Sequence, residues 1–406
     1  MSITPMGEHR GLNEIRAARA DRPVYLDNAA TTPVDPRVAA AMATCLTVDG
    51  EFGNPGSASH AYGDAARALI EAARAQVAAA VGAAPREVVW TSGATEADNL
   101  AIFGVAQYYR DSGRHIVTAR TEHKAVLDPC RELERRGWRV TYLVPDRGGC
   151  IDPAQVAAAL QPDTVLVSIM HVNNEIGVIQ DIAAIAAICA AHGSAKLHVD
   201  AAQSVGKSVV DFAALRVDLM SLSAHKAYGP KGVGALLVSR RGVQLSALQY
   251  GGGQERGLRA GTLATHQAVG MGLAFELANE QRERETERLT ALRERLWQGL
   301  AALGGTWRNG DAARSVPQIL NVSFDDVEGE SLLAAVQPYI AVSTGSACSS
   351  ALQEPSYVLR ALGRDERSSE SSLRFGLGRF TGERDIDAAL AVVAREVPRL
   401  RKVSGA

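Results

Sequence analysis

Between about Asp35 and Arg240, short β-rich apolar runs alternate with alanine-rich stretches of helical length, and this alternation narrows the possible folds more than any other feature. Strands separated by helix-length crossovers return in the same direction, so the pattern predicts a mostly parallel sheet covered by helices. Seven runs read as its strands: EVVWT (87–91), HIVTA (115–119), RVTYL (139–143), TVLVSIM (164–170), KLHVD (196–200), DLMSLS (218–223) and GALLVS (234–239). The intervening stretches at 63–81, 94–113, 124–137 and 181–193 place apolar residues three and four apart, often with a glycine close behind, and read as helices. Asp35-Pro36 and Asp152-Pro153 read as N-caps followed by proline at the first helical position.

Beyond Thr262 a helical stretch rich in Glu and Arg runs to about Leu303 and is expected to cross from a large domain to a smaller one. PQILNVSF (317–324), LAAVQPYIAVST (333–344) and SSLRFGLGRF (371–380) read as short strands, with helices at 328–336, 355–363 and 385–401. The expected fold class is α/β: a large domain at 35–280 with a mostly parallel seven-stranded sheet, and a smaller α+β domain from 23–34 and 281–406. Residues 1–22 read as a flexible extension, because they have no apolar core of signal-peptide length, and Glu8, Glu14 and Asp21 count against a transit peptide. No window approaches the roughly 20 apolar residues that a membrane-spanning helix needs, so no membrane partner is expected.

The net charge of −2 provides no basic field for phosphate neutralisation, so direct nucleic-acid binding is not expected and small-molecule chemistry is. The five cysteines are scattered, odd in number and free of any C-x-x-C pair. That argues against a disulfide framework and a structural zinc site, and for a reducing, cytoplasmic setting. One of them, Cys348, lies in VSTGSACSSALQEPS (342–356), where small polar neighbours offer little volume for packing. The stretch reads as a mobile cysteine loop, and its own composition leaves a reactive thiol and an incidental one both open.

DLMSLSAHKAYGPKGVG (218–234) ends a β-run in a polar turn that presents Ser223, His225 and Lys226 ahead of glycines. Upstream, KLHVDAAQS ends its strand on Asp200 and offers Gln203 three residues later. Taken singly these are a solvated lysine and a helix-capping aspartate. Taken together they are the pair that pyridoxal phosphate requires: an amine to form an imine, and a carboxylate to keep the pyridine nitrogen protonated so that the ring can accept electrons. WTSGATEADN supplies a phosphate position, a strand and then Ser92-Gly93-Ala94-Thr95 opening a helix, although S-G-x-T alone is more often a turn and cap. His123, in TEHKAVLD, stands at a strand-to-helix loop, where an imidazole can stack on a ring and move protons, or simply be satisfied locally. Asn174 follows another strand, and Arg374 offers a planar fork suited to a substrate carboxylate, with a solvent-facing arginine as the plain alternative.

From about Val24 to Arg401 these segments, in this order, resemble the cysteine desulfurases of the iron–sulfur-cluster (housekeeping) branch, fold-type I pyridoxal-phosphate enzymes related to class V aminotransferases. The likeness rests on YLDNAATTPVDPRV, WTSGATEADNLAI, TEHKAVLD, SIMHVNNEIGVIQDI, HVDAAQSVGK, SAHKAYGPKGVGAL, GGGQERGLRAGT, STGSACSS and EPSYVLRALG. It implies that Lys226 carries the cofactor as a Schiff base, Asp200 pairs with the ring nitrogen, His123 stacks on the ring and Gln203 meets the ring hydroxyl. It also implies that the phosphate is held by Ala94, Thr95, Ser223 and His225, with Thr262 contributed by a second subunit of a homodimer, and that Asn174 and Arg374 bind the substrate carboxylate. The implied reaction converts L-cysteine to L-alanine. Its sulfur passes to Cys348 as a persulfide and then to acceptor proteins for iron–sulfur clusters, thio-cofactors or transfer-RNA thiolation. A selenocysteine lyase or an aminotransferase on the same fold is the alternative. No resident metal is implied, and Cys348 is the residue that would touch a cluster transiently during transfer. Members of the branch run on past RLR with a tail that docks the scaffold protein, whereas this sequence ends at Ala406, which leaves scaffold binding outside the likeness.

Overall fold

A strand covered on both faces is buried at every position, and that is how most central strands of this chain lie. The computed structural model describes residues 22–344 and 355–404. Their order is β1 (Val24–Tyr25), α1 (Pro36–Ala43), α2 (Ala61–Ala80), β2 (Val88–Thr91), α3 (Ala94–Tyr109), β3 (His115–Ala119), α4 (Lys124–Arg135) and β4 (Arg139–Leu143). Next come α5 (Pro153–Ala159), β5 (Thr164–Ser168), α6 (Ile182–His192), β6 (Lys196–Asp200), β7 (Leu219–Ser223), β8 (Gly234–Val238) and α7 (Thr265–Ala301). The remainder is β9 (Thr306–Asn309), β10 (Ile319–Phe324), α8 (Gly329–Val336), β11 (Ile340–Ala341), α9 (Tyr357–Ala361), α10 (Glu366–Glu370), β12 (Ser372–Gly376) and α11 (Glu383–Ser404).

β2 to β8 form one seven-stranded sheet in the order β2-β8-β7-β6-β5-β3-β4. It is parallel except for β8, which runs antiparallel to both of its neighbours, β2 and β7. β2, β3, β5 and β7 are buried at every residue, while the edge strand β4 is buried only at Leu143. Side chains alternate between two cores, as the pleat demands. Val88 and Trp90 join Ile70 and Val77 of α2 and Met271 and Phe275 of α7, whereas Val89 faces Leu100 and Val105 of α3 and Val126 of α4. The predicted caps are present: Asp35 accepts from Arg37 N, and Asp152 accepts from Ala154 N.

β12, β10 and β9 form a separate antiparallel sheet, and β1 pairs in parallel with β11. A third core of Leu289, Leu296, Val322, Phe324, Phe375 and Val393 lies against that sheet. α7 belongs to both layers, because its first turns pack on the large sheet while Leu289, Leu292, Leu296 and Leu300 pack on the small one. Three expectations need adjustment. The run at 333–344 is mostly not strand, since Leu332 and Val336 are spaced to bury one face of α8, and within the run only Ile340–Ala341 and the single bridge at Ser343 pair. Glu87 stands in the turn before β2, where its carboxylate accepts from Ala84 N. Ile169 and Met170 lie past the end of β5.

One buried ion pair fastens the segment that leads to Thr262. Arg74 of α2 donates from Nη1 and Nη2 to the two carboxylate oxygens of Glu255, both at 2.8 Å, and Trp90 N donates to Oε2 at 2.8 Å. Glu255 holds this place with a left-handed backbone at φ 49°. Removing one partner strands the other charge in a buried site. Arg74→Ala is therefore expected to lower unfolding stability by about 3–5 kcal/mol in urea titrations, far more than loss of a surface pair does.

Candidate active site

In a parallel sheet every crossover returns to the same edge, so the residues just after each strand collect in one crevice. The register fixes which ones meet. Ser223 pairs with Gly234 and Gly234 pairs with Thr91, so the end of β7 lies level with the Ser92–Thr95 turn across the single antiparallel strand β8. That approach requires a glycine: a Cβ on Gly234 would sit 2.4 Å from Leu222 O and 2.7 Å from Gly93 Cα. Asp200 is level with Ser221 on the next strand. β5 leads on to Asn174, and β3 leads to His123, which caps α4.

Four features of this edge suit a phosphorylated ring. α3 begins at Gly93 with no side-chain cap, which leaves its first N–H groups and the positive end of its dipole for an anion. Ser223 Oγ is buried beside that turn with no hydrogen-bond partner among the described residues. Asp200 is buried, and its Oδ1 accepts from Ala202 N at 2.9 Å. Burial, reinforced by Asp98, pushes its carboxyl up to about 6, against the pull of the Ala202 N–H, His123 and Lys226. A cationic ring nitrogen would reverse that penalty. Lys226 closes the turn Ala224–Lys226 directly after β7. Pyridoxal phosphate fits this donor set: amine, carboxylate, and an uncapped helix end beside an unpartnered hydroxyl.

His123 has a defined tautomer. Its Nδ1 accepts from Ala125 N at 3.1 Å, so a neutral ring carries its proton on Nε2. Burial and Lys226 hold its pKa below the ordinary histidine value. His225 is pushed down to about 4, first by burial and then by Lys226, and its Nδ1 lies 3.1 Å from Thr31 Oγ1. Gln203 is buried, donating from Nε2 to Ala29 O at 2.7 Å.

Asn174 and Arg374 come together from the two layers. Arg374 Nη1 donates to Asn174 O at 2.9 Å and Nη2 donates to Asp27 Oδ1 at 2.9 Å, while Arg374 Nε and Asn174 Oδ1 are buried without a partner among the described residues. The arginine read from sequence as an open fork is thus held by Asp27, a residue to which sequence reasoning gave no role. Its only signal was a carboxylate in the polar run directly after β1. Glu175, next to Asn174, was missed as well. It is buried, pushed up to about 7 by that burial, and accepts from Ser356 Oγ at 2.5 Å. Thr262 is exposed on the segment before α7. Cys348 lies outside the described residues. Upstream of it, Ser343 exchanges backbone hydrogen bonds with Arg374, at 2.7 and 3.3 Å.

Comparison with known proteins agrees with this geometry. The class-V aminotransferase family model matches residues 24–389. Proteins named cysteine desulfurase IscS from Pectobacterium atrosepticum and from Escherichia coli are each 57% identical over 383 residues, covering 94% of this chain and 94% of theirs. Among solved structures, a NifS-like protein superposes with a TM-score of 0.87 at 36% identity, covering 93% of this chain and 100% of that one. A structure described as SspA in complex with cysteine superposes with a TM-score of 0.77 at 36% identity, covering 88% and 99%. Likeness at this level along nearly the whole length means that the chain belongs to the class-V aminotransferase family, among its pyridoxal-phosphate-dependent cysteine desulfurases.

Proposed function

We propose that this cysteine desulfurase takes sulfur from L-cysteine onto Cys348 and passes it to an acceptor protein, using the residues gathered at the carboxyl edge of the large sheet. The observation that carries the reading is the convergence of Lys226, Asp200 and the uncapped start of α3 on one crevice, in a chain whose relatives are cysteine desulfurases. Pyridoxal phosphate bound there supplies an electron sink for bond changes at the substrate's Cα and Cβ. Ala94, Thr95, Ser223 and His225 hold its phosphate, and Asp200 holds a proton at its ring nitrogen. Lys226 Nζ would hold it, and the same amine is the base that would take the Cα proton of the substrate. His123 covers the ring, with the proton on Nε2 available to the substrate. Asn174 and Arg374 orient the substrate carboxylate, with Asp27 fixing the guanidinium plane.

Cys348 Sγ, as a thiolate, attacks the substrate sulfur. An S–S bond forms as the Cβ–S bond breaks, its electron pair stays with the three-carbon fragment, and that fragment is protonated and leaves as L-alanine. The persulfide is then the donor to an acceptor protein serving clusters, thio-cofactors or transfer-RNA thiolation.

The same reading assigns 35–280 to the cofactor domain and 23–34 with 281–406 to the small one, supported by their separate hydrophobic cores. It makes the active form a homodimer in which Thr262 reaches the partner's phosphate site. Exposed Leu46, Val48, Phe52, Tyr62 and Tyr250 support such a contact. No helix among the described residues is long and apolar enough to cross a membrane. Cys45, Cys130, Cys150 and Cys189 are free thiols, which supports a reducing, cytoplasmic setting.

Two measurements test this. Incubated with L-cysteine, Cys348→Ala is expected to lose alanine and sulfide formation by about a hundredfold or more, and Lys226→Ala to lose both along with the borohydride-reducible cofactor adduct. Undiminished alanine and sulfide from the Cys348 variant sinks the persulfide route. Thr262→Ala is expected to remain dimeric by light scattering yet release cofactor more readily on dialysis; retention equal to wild type removes the cross-subunit contact.

A further inference from the structure

The loop after β6 holds a second lysine that the chemistry above leaves unused. Lys207 stands four residues beyond Gln203, in the run QSVGK. The chain turns tightly there: Ser204 N donates to Ala201 O at 2.9 Å, and Lys207 N and Ser208 N both donate to Ser204 O, at 3.0 and 2.9 Å. Gly206 sits at φ 74°, and a Cβ on it would come within 2.8 Å of Ala278 Cβ, so the turn lies directly against α7. The result is that Lys207 Nζ donates to Gln203 Oε1.

Gln203 is therefore held at both ends of its amide. Oε1 accepts from Lys207, and Nε2 gives one of its two protons to Ala29 O at 2.7 Å. A carbonyl oxygen has no proton to offer, so Ala29 fixes which end is nitrogen, and an amine that donates to the other end locks the choice. One Nε2 proton remains. We propose that Lys207 is a positioning residue for the cofactor: it holds the Gln203 amide so that Nε2–H, and not Oε1, meets the ring hydroxyl. This rests on the reading of Gln203 as the residue that meets that hydroxyl. Without Lys207 the amide is free to turn an acceptor toward an oxygen that carries negative charge.

The surroundings are strongly charged. Lys207 lines a small enclosed cavity with Lys226, Glu285, Gln318, Tyr228 and Arg379. Burial, together with Lys226 and Arg374, pushes Lys207 down to about 7, and Lys207 in turn depresses His225. A neutral amine still has protons to donate, so the hold on Gln203 persists on either side of that value.

The ring oxygen shares a proton with the nitrogen linked to Lys226. A donor aimed at that oxygen competes with the shared proton, so the proton leaves at lower pH. The test follows the visible absorbance of lysine-linked cofactor against pH in purified holoenzymes of the wild type, Lys207→Met, Lys207→Arg, Gln203→Leu and the Lys207→Met/Gln203→Leu double variant. Lys207→Met and Gln203→Leu are each expected to raise the midpoint, by about one pH unit. The double variant should move no further than Gln203→Leu alone, and Lys207→Arg, which keeps a donor, should stay near wild type. Lys207→Leu, which likewise has no donor, provides the same readout should the methionine variant not fold. A wild-type midpoint in Lys207→Met overturns the proposal, as do single-variant shifts that add in the double variant, because then Lys207 acts through its own charge. A wild-type midpoint in Gln203→Leu removes Gln203 from the ring, and the role of Lys207 with it. Absence of any lysine-linked band in the wild type is a different failure, that of the cofactor reading itself.

Discussion

A parallel sheet buried on both faces can offer polar side chains to a ligand only at its ends, since those within it must be paired internally. That constraint organises this molecule. β2, β3, β5 and β7 are covered at every residue by helices on both sides, so backbone amides are satisfied within the sheet and side chains fill two dry cores. The carboxyl edge is where the chain leaves the sheet, and residues distant in sequence become neighbours there: Thr95, His123, Asn174, Asp200 and Lys226. The antiparallel strand β8 brings the start of α3 beside the end of β7, which joins the Ser92–Thr95 turn to the turn that carries the lysine.

Low polarizability makes this edge electrostatically sensitive. Burial raises the carboxyl groups of Asp98, Asp200 and Glu175 and lowers the imidazoles of His171, His198 and His225. Behind Asp200, His198 bridges Ser168 and Ser221 at 2.8 and 2.9 Å, and its Nε2 lies 3.5 Å from Asp98. Groups whose charged forms are penalised by burial respond strongly when a ligand brings opposite charge, the property needed to bind a cationic ring and an anionic phosphate side by side.

The small layer is joined to this edge by charge as well as by α7. Arg379, just past β12, reaches Asp35 at 2.8 Å and Glu285 at 2.5 Å, and its guanidinium lies 4.1 Å over the ring of Tyr228, two residues after Lys226. Arg374, on β12 itself, meets Asn174 O and Asp27. On either side of the segment that contains Cys348, Ser343 exchanges backbone hydrogen bonds with Arg374 and Ser356 donates to Glu175. Arg374 and Glu175, the neighbour of Asn174, thus each touch one flank of that segment.

The sequence by itself determined the sheet and much of its edge. Strand runs such as HIVTA and KLHVD match their elements residue for residue, because apolar and β-branched residues between turn and helix signals delimit each run, and local rules located the caps at Asp35 and Asp152. Lys226, Asp200 and the start of α3 were legible as candidates because Asp200 ends its strand, the other two come within three residues of theirs, and each has a recognisable chemical role. Other features were decided only by tertiary structure. The two-residue pairing of β1 with β11, the engagement of Arg374 by Asp27, the ion pair of Arg74 with Glu255 and the Lys207–Gln203 contact each depend on a partner set by the fold or by a strained turn. Asp27 and Arg374 are 347 residues apart, and Arg74 and Glu255 are 181 apart. Local periodicity reports whether a residue is buried and on which face. It carries no information about which distant group it meets there, because that choice is made when the layers close.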